Sequence, residues 1–275
     1  MNEGLVLTHR GRDIRLKWHC LRRTGEEAVF LRANLDAGLA LGASIEVDIQ
    51  QLADGHFVCL HDDRLESETD GHGPVAEADA ATIRALRVRG DGEAPLLLDD
   101  VVAAIVDGPK PTMPGLMIQL DLKDDAARLS DNGVAGFARL IEPVASAFIL
   151  SAENWPAVKH LGGEVPNLAL GYDPWDLAEQ WSFDGHDSFL RFRDAAFDIA
   201  PEAEGMYLYK EIVAAGLRQD VNVVAAFQER GVWVDCWTID AGTPGDDAYL
   251  AAALAAGVDQ ITTNTPRRLA ESPVR

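Results

Sequence analysis

The 275-residue sequence predicts an α/β fold, a (β/α)8 TIM barrel, on three observations. Roughly eight strand-like runs alternate with helical segments, the counting pattern of that fold. The first such unit is a strand, a helix stopped by Gly42 and a second strand, an order that favours parallel pairing. The third observation is where the polar residues fall. His19, Asp48, His61, Lys123, Trp237 and Asn264 all lie at or near the carboxyl ends of strand-like runs, where such barrels carry their chemistry. No repeat, low-complexity stretch or linker interrupts the chain. It reads as a single domain over 1–275 with a small insertion after the second strand.

The elements follow in order. Residues 4–19 read as a hairpin turning at Arg10-Gly11, then a strand Ile14–Trp18. A helix is expected from Glu26 to Leu41. The stretch Ser44–Asp62 then reads as two strands joined at Asp54-Gly55. Alternation puts Glu46 and Asp48 on one face of the first strand, with Phe57, Cys59 and His61 sharing a face of the second. Residues 62–75 are polar and loop-like, Ala78–Leu86 is helical, and a helix opens at the acidic pair Asp99-Asp100 and ends before Asp107-Gly108-Pro109. In the strand Leu116–Lys123, Gln119, Asp121 and Lys123 share one face. Helices near 133–142, 155–161, 222–230 and 246–256 alternate with strands near 147–150, 168–171, 206–209, 232–239 and 260–263. Residues 172–205 combine six Trp and Phe residues with many acids. They read as short helices packed under a long loop, with a substrate-facing wall as the alternative.

Composition narrows the function. Lys and Arg total 24 against 45 Asp and Glu, a formal net charge of −21, which argues against nucleic acid or anionic membrane as a partner. No apolar run is long enough to cross a bilayer, and the N-terminus lacks a secretory layout. The expectation is a cytoplasmic protein acting on a small molecule. Three cysteines without a CxxC spacing exclude a disulfide framework or structural zinc site, and Cys20, Cys59 and Cys236 read as buried apolar residues. Two same-face carboxylates followed by a His-Asp pair form a candidate metal and acid-base constellation.

The stretch IEVDIQQLADGHFVCLHDDRLESETDGHGPV, residues 45–75, resembles the glycerophosphodiester phosphodiesterase family in its E-x-D, D-G-x-x-V-x-x-H-D and L-x-x-x-T-x-G-x-G patterns. PLLLDDVV, LDLK, CWTID and GVDQITTNTP continue the resemblance toward the C-terminus. It implies a metal-dependent phosphodiesterase that releases glycerol 3-phosphate from a small anionic diester. It implies that Glu46, Asp48 and Asp121 hold one divalent cation, Mg²⁺ or Ca²⁺, and that His19 and His61 are the acid and base. His19 is preferred to His9 because its spacing to Glu46-x-Asp48 is the family's. Lys123 would neutralise phosphate, helped by Arg22 or Arg23, and Trp237 would line the glycerol or headgroup pocket. Asp62 could orient His61, cap the following loop or reach the metal.

The chain also departs from the family. Cys20 stands where an Arg follows the first histidine, TGEEAV replaces a P-E-N-T motif, Asp121 replaces a glutamate, and Ser67 and Glu68 stand where an Arg is expected. The losses of positive charge admit two alternatives: a different headgroup, such as an agrocinopine-like sugar phosphodiester, or a barrel that binds a phospho-ligand without turnover. The nucleophile could be water or a neighbouring substrate hydroxyl, and no residue pattern speaks to oligomeric state.

Overall fold

The computed structural model describes residues 3–90, 92–108 and 117–272. Its strands are β1 (Val6–His9), β2 (Arg12–Trp18), β3 (Ser44–Gln51), β4 (Phe57–Val58), β5 (Ile118–Leu122), β6 (Phe148–Ala152), β7 (Ala169–Tyr172), β8 (Gly205–Tyr209), β9 (Trp233–Trp237) and β10 (Gln260–Thr263). The fold is a (β/α)8 barrel whose parallel strands are β2, β3 and β5 to β10. The Leu116 start foreseen for β5 and the Pro109 stop before it lie outside the described residues. No helix among the described residues is long and apolar enough to cross a membrane.

The chain divides into two compact units, Met1–His19 with Leu170–Arg275, and Cys20–Ala169. In the first, β1 and β2 form the expected hairpin with His9 opposite Arg12. Both turn residues, Arg10 and Gly11, take positive φ (50° and 79°), the conformation a two-residue hairpin turn demands. β2 pairs in parallel with β10, β10 with β9, β9 with β8, and β8 with β7. Helix Lys210–Arg218 was not foreseen; its buried face is Ile212, Val213, Ala214 and Gly216, a short stripe masked by the polar residues around it. Helices Trp175–Glu179 and His186–Ile199 span the aromatic-rich region. Phe189 and Phe192 are fully buried, and Phe183 and Trp181 pack on them ring to ring.

In the second unit β3 pairs in parallel with β5 and β5 with β6. All eight residues of β3 are buried, so its polar face looks inward while Ile45, Val47 and Ile49 face the covering layer. Two expectations are corrected here. The helix expected from Glu26 starts only at Arg32, because Phe30 is left-handed (φ 53°) and the Glu27 carboxylate is engaged with the backbone N–H groups of Arg23 and Thr24 and with Asn34. The second strand of the Ser44–Asp62 stretch is two residues long and antiparallel, with Gln50 opposite Val58. Its chain leaves the ladder at Cys59, whose N–H donates to Leu96 O. His61 therefore stands on a loop and not at the end of a barrel strand.

The excursion between Leu52 and Leu97 is the expected insertion. It has its own apolar cluster of Leu52, Val58, Leu60, Leu65, Val75, Ile83 and Leu97. Its turn at Gly55 (φ 89°) has no room for a side chain, since a Cβ would lie 2.8 Å from Asn132 Nδ2.

Candidate active site

Register brings the acids together. Asp48 on β3 lies directly opposite Asp121 on β5, and Glu46 lies opposite Gln119. Residues two apart on a strand share a face, so Glu46, Asp48 and Asp121 point the same way. One oxygen from each carboxylate falls within 4.8 Å of the other two. Lys123 follows β5 directly, and its N–H donates to Ile49 O. Its ammonium reaches back to Asp48 Oδ1 at 2.7 Å and Asp121 Oδ2 at 2.6 Å. Ser151 on β6 donates to Asp121 Oδ1 at 3.1 Å and accepts from Gln119 Nε2 at 2.9 Å, which fixes the Asp121 carboxylate from behind.

Burial pushes the Glu46 carboxyl well above the usual carboxylate range, and the charges of Asp48 and Asp121 push it further. Burial works against the Lys123 ammonium, but Asp121, Asp48 and Glu46 outweigh it and hold its pKa well above the ordinary value. One lysine thus faces three carboxylates. Their convergent hard oxygens and excess negative charge fit a divalent cation of the Mg²⁺ or Ca²⁺ type.

Cys20, in the family's arginine position, contributes through its backbone. Its N–H donates to Glu46 Oε2 at 2.6 Å, and its thiol lies 3.6 Å from Asp48 Oδ2. Cys20 and Leu21 are both left-handed (φ 49° and 60°), an uncommon conformation for such side chains that aims the N–H at Glu46. Burial, then Glu46 and Asp48, raises the thiol well above its ordinary pKa, which disfavours the thiolate. Arg23 is taken up by Glu27, with its guanidinium 3.1 Å from Oε1. Arg22 donates from Nε to Glu27 O at 3.1 Å, and its charge is felt at the Cys20 thiol.

The two histidines are held differently. His19 is half-buried, with Nδ1 2.9 Å from Asn264 Oδ1. Asn264 is oriented by Asp240, which accepts from its backbone N–H at 2.6 Å and its Nδ2 at 2.9 Å. An amide oxygen can only accept, so neutral His19 carries its proton on Nδ1 and presents Nε2 as the basic nitrogen. His61 is exposed, with Nδ1 2.9 Å from Asp62 Oδ1. The hydrogen bond from His61, then one from Ser67, lowers the Asp62 carboxyl. Asp62 thus takes the orienting role among the three considered for it.

Trp237, at the carboxyl end of β9, is half-buried and packs against Tyr209 and Trp175 with ring centroids 5.0 and 5.9 Å away. Its indole Nε1 is buried and has no hydrogen-bond partner among the described residues.

Sequence reasoning did not assign Asn264, Asp240, Gln50, Glu68, Ser151, Tyr209 or Trp175. Gln50 continues the 46, 48 parity and was legible on that ground. The His19–Asn264–Asp240 chain depends on contacts some 245 residues apart and was not.

Comparison with known proteins adds the family. A model of the "Glycerophosphoryl diester phosphodiesterase family" matches residues 33–141, the segment that carries Glu46, Asp48, His61, Asp121 and Lys123. A curated Mycobacterium tuberculosis protein, "Probable glycerophosphodiester phosphodiesterase 1", is 31% identical over 118 residues, 38% of this chain and 39% of its own length. The chain therefore matches about two-fifths of that relative's length. A phosphodiesterase from Oleispira antarctica, solved in complex with the product sn-glycerol-3-phosphate, superposes with a TM-score of 0.66 at 18% identity, covering 93% of this chain and 95% of that one. A glycerophosphodiester phosphodiesterase from Parabacteroides distasonis superposes with a TM-score of 0.68 at 16% identity, covering 93% and 94%. The superpositions bear on the fold. With the family match and the motifs of residues 45–75, they point to the glycerophosphodiester phosphodiesterase family.

Proposed function

We propose that the chain, one barrel domain over 1–275, hydrolyses a glycerophosphodiester to an alcohol and glycerol 3-phosphate, with Glu46, Asp48 and Asp121 holding one divalent cation. The observation that carries this is the convergence of those three carboxylates on the inward face of β3 and β5. Bound there, the cation would withdraw charge from the non-bridging phosphate oxygens. Lys123 supplies a fixed positive charge at the same place. His61 and His19 act as the acid–base pair through Nε2, one taking the proton of the attacking hydroxyl and the other returning a proton to the leaving alkoxide. Asp62 and Asn264 hold the respective rings in the tautomer these roles need. The substrate is a small anionic diester whose alcohol side meets Trp237.

A second reading, a diester with another headgroup such as a sugar, is favoured by one specific observation. Cys20 brings no charge to the family's arginine position, and Arg23 is engaged by Glu27. The test is turnover of a panel of glycerophosphodiesters and a sugar phosphodiester with Mg²⁺, Ca²⁺ or EDTA, with glycerol 3-phosphate release followed. Cation-dependent release is expected, and His19→Ala or His61→Ala should each lower kcat by about 10²–10⁴-fold. Release unaffected by both substitutions would remove these residues from the mechanism. No release from any glycerophosphodiester, with turnover of the sugar diester, would select the second reading. No turnover of any diester would leave a phospho-ligand-binding barrel.

A further inference from the structure

Ser67 and Glu68, which replace an arginine-bearing stretch of the family pattern, have a structural assignment. Glu68 Oε2 accepts from the backbone N–H of His61 at 2.8 Å and from that of Asp62 at 3.1 Å. From the opposite side, Gln50 Nε2 donates to Leu60 O and Asp62 O, both at 2.8 Å. Four hydrogen bonds thus grip three consecutive residues, and Ser67 bonds the Asp62 carboxylate besides. Glu68 is itself anchored: its carbonyl accepts from Arg89 N at 2.8 Å, and the adjacent Thr69, fully buried, accepts Arg89 Nε on its carbonyl at 2.7 Å.

This grip matters because of how His61 is placed. Its ring is about half exposed, with a side-chain exposure of 53%, and the strand before it is only two residues long. Leu60 is packed in the insertion's apolar cluster, but His61 and Asp62 beyond it are exposed and lie in no ladder among the described residues, so hydrogen bonds hold those two residues. Gln50 also lies on the face of β3 that carries Glu46 and Asp48, so the strand presenting the acids holds the loop presenting the histidine.

We infer that Glu68 and Gln50 are positioning residues for the acid–base histidine His61. The inference rests on the diesterase reading above for its catalytic part. A carboxylate accepting two N–H groups can be replaced in that role by an amide oxygen but not by a methyl group.

The test uses the full chain with a glycerophosphodiester and saturating Mg²⁺ or Ca²⁺. Glu68→Ala should lower kcat by about 10–10²-fold, the scale of a misplaced catalytic group, with KM within about twofold. Glu68→Gln should recover kcat to within about threefold of wild type. In a His61→Ala background Glu68→Ala should cost nothing further, because its effect runs through His61. Independently of turnover, hydrogen exchange at the His61 and Asp62 amides should quicken in Glu68→Ala and not in Glu68→Gln. An equal loss in the His61→Ala background, a change in KM alone, or unchanged amide exchange would overturn the assignment. A wild type with protected amides and no turnover of any diester would overturn the diesterase reading and leave the clamp standing.

Discussion

Each unit of the chain sets a lysine against carboxylates on its barrel strands, and the two arrangements differ in burial and in charge balance. In the first, Lys17 and Asp235 are almost fully buried, at 2% and 0% exposure, with Nζ 3.2 Å from Oδ2. Asp235 also accepts from Gln260 Nε2 at 2.7 Å and Thr262 Oγ1 at 2.6 Å, and the ammonium lies 4.4 Å from the centre of the Tyr207 ring. One positive charge meets one negative charge, with hydrogen bonds filling both carboxylate oxygens. In the second, Lys123 is partly open to solvent and faces three carboxylates, one of which is pushed toward its neutral form. A charge-matched interior layer is complete without a ligand. A layer with excess negative charge in a site open to solvent is built to receive one.

The comparison breaks most readily at Asp235. Asp235→Ala leaves Lys17 buried without a partner and should cost about 3–5 kcal/mol of stability in urea unfolding. The paired change Lys17→Met with Asp235→Leu should recover most of it, because removing both charges removes the penalty. A small effect of Asp235→Ala would mean the first layer is not the closed structural element described. Asp121→Asn should do the reverse. Diester turnover should fall by roughly 10²-fold, about 2.7 kcal/mol in the barrier, while the unfolding midpoint holds or rises as repulsion on Glu46 is relieved. A large loss of stability there would make the second layer structural too.

A divalent cation sharpens the contrast further. At ten times its dissociation constant it should stabilise the wild type by about 1.4 kcal/mol in thermal melts, reversibly with EDTA, and should not stabilise Asp48→Asn. Asp235→Asn should keep the response. The smallest effect, a control outside both layers, concerns Glu66 in the insertion. The backbone N–H groups of its own residue and of Gly73, then Arg64, hold its carboxyl at about 2. Its folded pKa is depressed, so its contribution is present above the ordinary carboxylate value and is lost as pH falls through about 2. The protection factor of the Gly73 amide, the exchange rate corrected for its intrinsic pH dependence, should fall over that window in the wild type and stay constant there in Glu66→Gln.

The two layers were not equally legible. Alternation in SIEVDIQ and LMIQLDLK displayed the second, because polar residues (Ser44, Glu46, Asp48 and Gln50; Gln119, Asp121 and Lys123) occupy every other position of an otherwise apolar run. Lys17 sits on a strand that also carries Arg12, Asp13 and Arg15, so nothing in the sequence singles it out, and Asp235 reads as one acid among many. Only the pairing of β2 with β10 and of β10 with β9 brings them together. The strand count and the hairpin at Arg10-Gly11 were legible because turn chemistry and period carry them. The start of the helix at Arg32 was not, since Glu27 spends its carboxylate on loop amides through contacts that propensity does not encode. The mistaken strand through His61 has a similar origin: FVCLH reads as a strand with Phe57, Cys59 and His61 on one face, but its ladder with β3 covers just Phe57 and Val58, Val58 adds a single bridge to Leu97, and no pairing reaches His61 among the described residues.

Gln50 has a practical consequence for exchanging parts among related barrels. The insertion has its own apolar cluster between Leu52 and Leu97, which invites cutting there. A transplant cut at those boundaries would carry His61, Asp62 and Glu68 but leave two of the loop's four tethers on the donor scaffold. The unit that travels whole begins at Ser44, so Glu46, Asp48 and the histidine loop form one cassette, and loop shuffling that separates them should yield folded, poorly active chimeras.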